Sequence, residues 1–182
     1  MDEPIQPWPV LGTREVGDFR IFKLRADHKK SPRNGHEMEF MVLECVNWVN
    51  VVALTKEGEF VMVQQFRHGS DSVELEIPGG VMDAEDTDPI HTAVRELREE
   101  TGYEGVNARI IGQVYSNPAI MNNTTYTVLI EDCEQKHELE LDPGEDLRIS
   151  TLPPEEAFAK IASGDIRHSL VVAALCHYKV SA

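Results

Sequence analysis

The sequence predicts an α+β fold that opens with an antiparallel β-hairpin or small sheet. Three observations predict it. Asn34-Gly35 is a strong hairpin-turn dipeptide with strand-like runs on either side. Short β-rich runs bounded by turn residues recur along most of the chain. One central stretch changes period: Ile90, Ala93, Val94 and Leu97 fall at i, i+3, i+4 and i+7, which makes an apolar stripe on a helix.

Residues 1–12 are proline-rich and read as extended. A strand is expected over 19–24, a basic, turn-rich loop over 27–36, and a second, alternating strand over 37–46. Residues 1–46 therefore form an N-terminal β-hairpin region, and 47–182 the main domain. Strands at 49–54 and 60–66 flank the turn T-K-E-G-E, and a strand at 73–77 leads into Pro78-Gly79-Gly80. The central helix follows, with Asp88 as N-cap, Pro89 at the first helical position and Gly102 as a left-handed C-terminal cap. After it come strands at 108–115 and 124–130, an acidic loop over 131–146, and a short strand at 147–151. Two helices close the chain. The first, 154–161, turns Ala157, Phe158 and Ile161 inward before Gly164, and the second, 168–178, is apolar enough to pack on a sheet.

A chain of 182 residues can bury one full hydrophobic core. Its formal net charge of −15 argues against binding nucleic acid through the protein's own field. The same field repels a small anionic substrate, so a site for one needs bound metal and local arginines. The N-terminus has no basic, apolar leader pattern, and no apolar run reaches the ~18 residues of a membrane helix. The expectation is a cytoplasmic protein with no membrane partner. Cys45, Cys133 and Cys176 stand apart in apolar surroundings and read as buried free thiols. Without a C-x-x-C pair, a structural zinc site is not expected.

The central helix also carries Glu96, Glu99 and Glu100, spaced three and four apart on neighbouring positions of one surface. Like charges at that spacing cost a helix about 0.2–0.5 kcal/mol per pair. Arg95 can pair with Glu99 at i+4, and a hard divalent cation would neutralise the whole group. The plain alternative is a solvated acidic face.

The surrounding run R-E-L-R-E-E-T-G-Y, preceded by P-G-G, resembles the Nudix box, G-x5-E-x7-R-E-U-x-E-E-x-G-U, with U a bulky apolar residue. Here the box spans 80–103; Arg95, Glu96, Leu97, Glu99, Glu100 and Gly102 match it, and Tyr103 fills the last position. Thr87 stands where the box has its first Glu, and the loop carries one extra residue, with Glu85 and Asp86 close by. In the family that Glu supports the loop, while metal-binding carboxylates come from the half that is intact here. The segment Q-Q-F-R-H followed by E-L-E-I-P-G-G is similar to the ADP-ribose and ADP-sugar pyrophosphatase branch.

The resemblance implies an α/β/α sandwich with a mixed central sheet, and a homodimer formed through the N-terminal sheet. It implies two or three Mg²⁺ ions per site, with Mn²⁺ as a substitute, held by Glu96, Glu99, Glu100 and the carbonyl of Gly79. Arg95 would orient a box glutamate. Arg67 would meet a phosphate, Glu76 the base or a ribose, and Trp48 would stack on the base. The general base would lie in the acidic loop, at Glu140 or Glu145. Many relatives carry acidic residues where this chain has Asn122 and Asn123, whose amides suit sugar hydroxyls. The implied reaction is hydrolysis of a nucleoside diphosphate sugar, such as ADP-ribose or GDP-mannose, to a nucleoside monophosphate and a sugar phosphate. Alternatives are another nucleoside diphosphate derivative as substrate, or a non-catalytic ADP-ribose-binding regulator.

Overall fold

The computed structural model describes residues 4–181 apart from 84, 85, 87, 142, 143 and 145. It divides into two compact units, 1–46 with 115–123, and 47–114 with 124–182.

The first unit is a three-stranded antiparallel sheet, β1 (Val10–Asp18), β2 (Lys23–Lys30) and β3 (Glu37–Glu44), in the order β1-β2-β3. The hairpin signal holds: Gly35 adopts φ 72°, and Asn34 Oδ1 accepts from the His36 N–H at 3.0 Å. The strand boundaries move. Residues 19–22, expected in a strand, form the β1–β2 turn, where Arg20 has φ 70° and its N–H donates to Asp18 Oδ1 at 3.0 Å. Residues 10–12, expected as the end of an extended arm, begin β1 instead.

The second unit holds a seven-stranded sheet built on β4 (Trp48–Thr55), β5 (Phe60–Arg67), β8 (Tyr103–Tyr115), β9 (Thr124–Gln135) and β10 (Leu147–Leu152). Their order is β10-β5-β4-β9-β8; β6 (Ser72–Glu76) pairs with β5, and β7 (Gly79–Val81) with β4. β4 runs parallel to β9 and antiparallel to β7, so the sheet is mixed. Its helices are α1 (Pro89–Thr101), α2 (Pro154–Ser163) and α3 (Ser169–Ser181).

Strand periodicity decides which helix covers which face. Val49, Val51 and Ala53 of β4 pack with Ala93 and Leu97 of α1. Val52, one residue out of phase, packs with Ala157 of α2 and with Val171 and Leu175 of α3. Val128 and Ile130 of β9 face α1, while Leu129 faces α3. The sheet is thereby sandwiched, as expected.

Three details correct the sequence reading. β9 continues to Gln135 into the expected acidic loop, and two of the loop's acidic residues are paired there, Glu131 with Arg109 and Glu134 with Lys56, at 2.8 Å for the latter. β7 had no expected counterpart; it is short and made of Gly-Gly-Val. Of the thiols, only Cys133 is buried, and burial pushes it up to about 12. Cys176 is exposed on α3, a helix apolar on more of its surface than it buries.

Candidate active site

Helix α1 forms where local signals place it. Asp88 Oδ1 accepts from the Ile90 N–H at 2.9 Å, Pro89 opens the helix, and Gly102 at φ 71° sends its N–H to Arg98 O at 2.8 Å. The buried arc differs from the apolar stripe. Val94 is 42% exposed, whereas Glu96 is 8% and Glu100 5% exposed. Two of the three acidic side chains are thus turned inward, which excludes a plain solvated face for them. A buried carboxylate is costly unless it is paired or binds a cation.

Each has a defined seat. Glu100 Oε2 accepts from the Gly79 N–H at 3.0 Å. Gly80 makes room for Glu96: a Cβ there would lie 2.4 Å from its carboxyl carbon. Arg95 Nη1 stands 2.9 Å from Glu96 Oε1 and 3.0 Å from Glu99 Oε2, which separates two like charges. Burial lowers the Arg95 pKa, but Glu96 foremost, then Glu99, outweigh it and raise it.

These groups line a cavity of about 450 Å³, which is within the range of small-ligand sites. Gly79, Arg95, Glu96, Glu99 and Glu100 are on one side, with Trp48, Arg67 and Glu140 also in the wall. Gln65 and Asp83 line it too and were not anticipated: Gln65 lies within Q-Q-F-R-H and Asp83 at a variable position of the box, but neither was singled out as a site residue. A larger cavity of about 760 Å³ belongs to the first unit and has no carboxylate in its lining.

The remaining expected residues have specific partners. Arg67 and Glu76 form a two-pronged pair, Nε–Oε1 at 2.8 Å and Nη2–Oε2 at 2.7 Å, with Glu76 only 1% exposed. Glu76 therefore stands behind Arg67, not in the cavity wall. Trp48 Nε1 donates to Asn50 Oδ1 at 3.1 Å, and Asn50 Nδ2 in turn donates to Leu170 O at 2.8 Å. Glu140 is tied to α1 twice: its N–H donates to Glu99 O and its Oε1 accepts from Arg98 Nη2, both at 2.9 Å. Glu145 lies outside the described residues. Asn122 belongs to the first unit, where its Oδ1 accepts from the Cys45 N–H at 3.0 Å, and Asn123 Nδ2 donates to Val46 O at 2.9 Å. Their amides hold the end of β3 and the residues after it.

The NUDIX domain model matches residues 46–175. The chain belongs to the NUDIX family. Its relatives include an ADP-ribose pyrophosphatase of Bacillus subtilis, 31% identical over 86% of this chain and 84% of the relative. A methanol dehydrogenase activator of Bacillus methanolicus is 29% identical over 91% of this chain and 89% of the relative. The crystal structure of an ADP compounds hydrolase shares the Nudix fold, with a TM-score of 0.84 at 20% identity over 98% of this chain and 95% of that one.

Nudix hydrolases generally use divalent metals, and the donor set here fits such an ion. It consists of hard carboxylate oxygens, two of them buried, in a cradle that any side chain at Gly80 would fill. Among the described residues no three acidic, His or Cys side chains converge on one ion position as they stand. Arg95 engages Glu96 and Glu99, and the Gly79 N–H engages Glu100, so each carboxylate of the group already has a fixed seat.

Proposed function

We propose that this Nudix protein hydrolyses the pyrophosphate bond of nucleoside diphosphate sugars, ADP-ribose and GDP-mannose among them, to a nucleoside monophosphate and a sugar phosphate. The observation that carries this reading is the pair of sunken carboxylates, Glu96 and Glu100, in the same cavity wall as Arg67. The ADP-ribose pyrophosphatase relative supports the same reaction class, a Nudix pyrophosphatase.

A diphosphate resists hydrolysis because its anionic oxygens repel a nucleophile. Two or three Mg²⁺ ions, in this reading, would neutralise that charge and lower the pKa of an attacking water when bound. Glu96, Glu99 and Glu100 would hold the metal, with the carbonyl of Gly79. Arg67 offers a planar guanidinium suited to a phosphate oxygen, and Trp48 an aromatic surface suited to a base.

The proton of the attacking water goes to Glu140 or Glu145. Glu140 is already tethered over α1 in the cavity wall. Whichever is the base, its Gln variant is expected to lose about 10²-fold in kcat, while the other keeps near-normal rate. If both keep full rate, the base lies elsewhere.

A homodimer belongs to the same proposal. Val10 and Leu11 at the start of β1 and Ile21 in the β1–β2 turn are each more than half exposed, apolar side chains that association would cover. Light scattering is expected to give twice the chain mass; a monomer mass at micromolar concentration contradicts it.

A second reading, a regulator acting on another enzyme, is favoured by one relative, the methanol dehydrogenase activator. The discriminating test is phosphate release from a panel of nucleoside diphosphate sugars with Mg²⁺ and a coupled phosphatase. Turnover of several members supports the enzyme. Silence from folded protein favours the regulator.

A further inference from the structure

The loop entering α1 departs from the box at Thr87, which lies outside the described residues, as does Glu85. Asp86 is described, and its carboxylate is a junction. Oδ2 accepts from Thr92 Oγ1 at 2.9 Å and from the Asp83 N–H at 3.0 Å, and lies 3.7 Å from Arg95 Nη2. It thus ties the loop to the first turns of α1 and to Arg95. Thr92 is fully buried, so that anchor is fixed in the core.

Arg95 divides its duties between its two terminal nitrogens. Nη1 serves Glu96 and Glu99, while Nη2 faces Val81 O, Asp83 and Asp86. The guanidinium is planar and rigid, so holding Nη2 fixes where Nη1 stands. Asp83 is a loose holder at 71% side-chain exposure; Asp86, at 25% and with two further hydrogen bonds, is a firm one.

We propose that Asp86 is a positioning residue for the candidate cation site: through Arg95 it sets the spacing of Glu96 and Glu99. It does for this chain's loop what Thr87 has no charge to do. The Thr92 hydroxyl, the Asp83 N–H and Arg95 hold its carboxyl below the usual carboxylate range, so it stays ionised at neutral pH. The inference rests on the reading that Glu96, Glu99 and Glu100 hold a divalent cation.

The test is Mn²⁺ binding to the full chain without nucleotide, read from the electron-spin-resonance signal of free Mn²⁺, with Tm measured alongside. Asp86→Asn is expected to weaken binding by about tenfold, the lower end for partners that orient metal ligands. Asp86→Glu, which keeps the charge, recovers most of that loss and remains informative if the Asn variant folds poorly. In an Arg95→Lys background, where no planar fork spans loop and helix, Asp86→Asn changes little further. Binding by Asp86→Asn equal to that of the unmodified chain overturns the proposal. So does an undiminished loss in the Arg95→Lys background, or a loss that follows Glu85→Gln instead. No Mn²⁺ binding by the unmodified chain overturns it together with the cation reading. Binding without turnover of any nucleotide sugar removes only the substrate assignment.

Discussion

Glu100→Gln is expected to cut kcat on a nucleoside diphosphate sugar by about 10³-fold or more while the chain stays folded. The substitution is nearly isosteric, and Gln retains a carbonyl oxygen to accept the Gly79 N–H that Glu100 accepts at 3.0 Å. What it removes is one negative charge at a site 5% exposed. Metal-assisted stabilisation of transition-state charge is worth several kcal/mol, and about 4 kcal/mol corresponds to about 10³-fold in rate. Stability should move the other way or not at all. Glu96, Glu99 and Glu100 repel one another on the same helix, and an uncharged amide relieves that repulsion. The measurement is steady-state turnover with Mg²⁺ held in excess, beside a thermal melt of both proteins. Near-normal turnover would remove Glu100 from the site. Lost turnover with a Tm collapsed by tens of degrees would make Glu100 a folding residue instead.

The same glutamates show where sequence reasoning stops. The ends of α1 were legible because each cap is a local event: Asp88 bonds two residues ahead, and Gly102 must take a positive φ. The buried arc was not. Hydrophobic periodicity ranks Val94 inside and Glu96 outside, because it scores side chains against an apolar core only. At this helix part of the inward arc faces a cavity, and there the order reverses. Recognition of the box supplied what periodicity could not. β1 was missed for a related reason: nearly every side chain on it is exposed, so no alternation marks it. Asp86 was noticed only as a neighbour of Thr87, and its links to Thr92 and Arg95 depend on how the loop folds back. Asn122 was read as a sugar contact because of the amide it carries; its oxygen goes to the Cys45 N–H, far away in sequence.

Arg67 and Glu76 are nine positions apart on paired strands, and their union sets the second large expected effect. Arg67→Met is expected to destabilise the fold by about 3–5 kcal/mol, since it strips the cation from a buried carboxylate. Glu76→Gln is expected to cost less, about 1.5–3 kcal/mol, the worth of hydrogen bonds to a charged group. The asymmetry follows from exposure: Arg67 keeps 31% of its side chain in reach of water, and Glu76 keeps 2%. The double variant Arg67→Met/Glu76→Leu removes both charges together. Replacing a buried ion pair by apolar side chains is often neutral, so most of the lost stability should return. Activity should not return with it, because the guanidinium in the cavity wall is still missing. Urea unfolding gives the stabilities, and KM on the preferred nucleotide sugar gives the function. An Arg67→Met variant within about 1 kcal/mol of the unmodified chain would mean that water reaches Glu76 and that the pair is not a buried one. A double variant restored in both stability and KM would leave Arg67 a purely structural residue. Stability recovered without KM assigns it both tasks, with Glu76 as the residue that aims it.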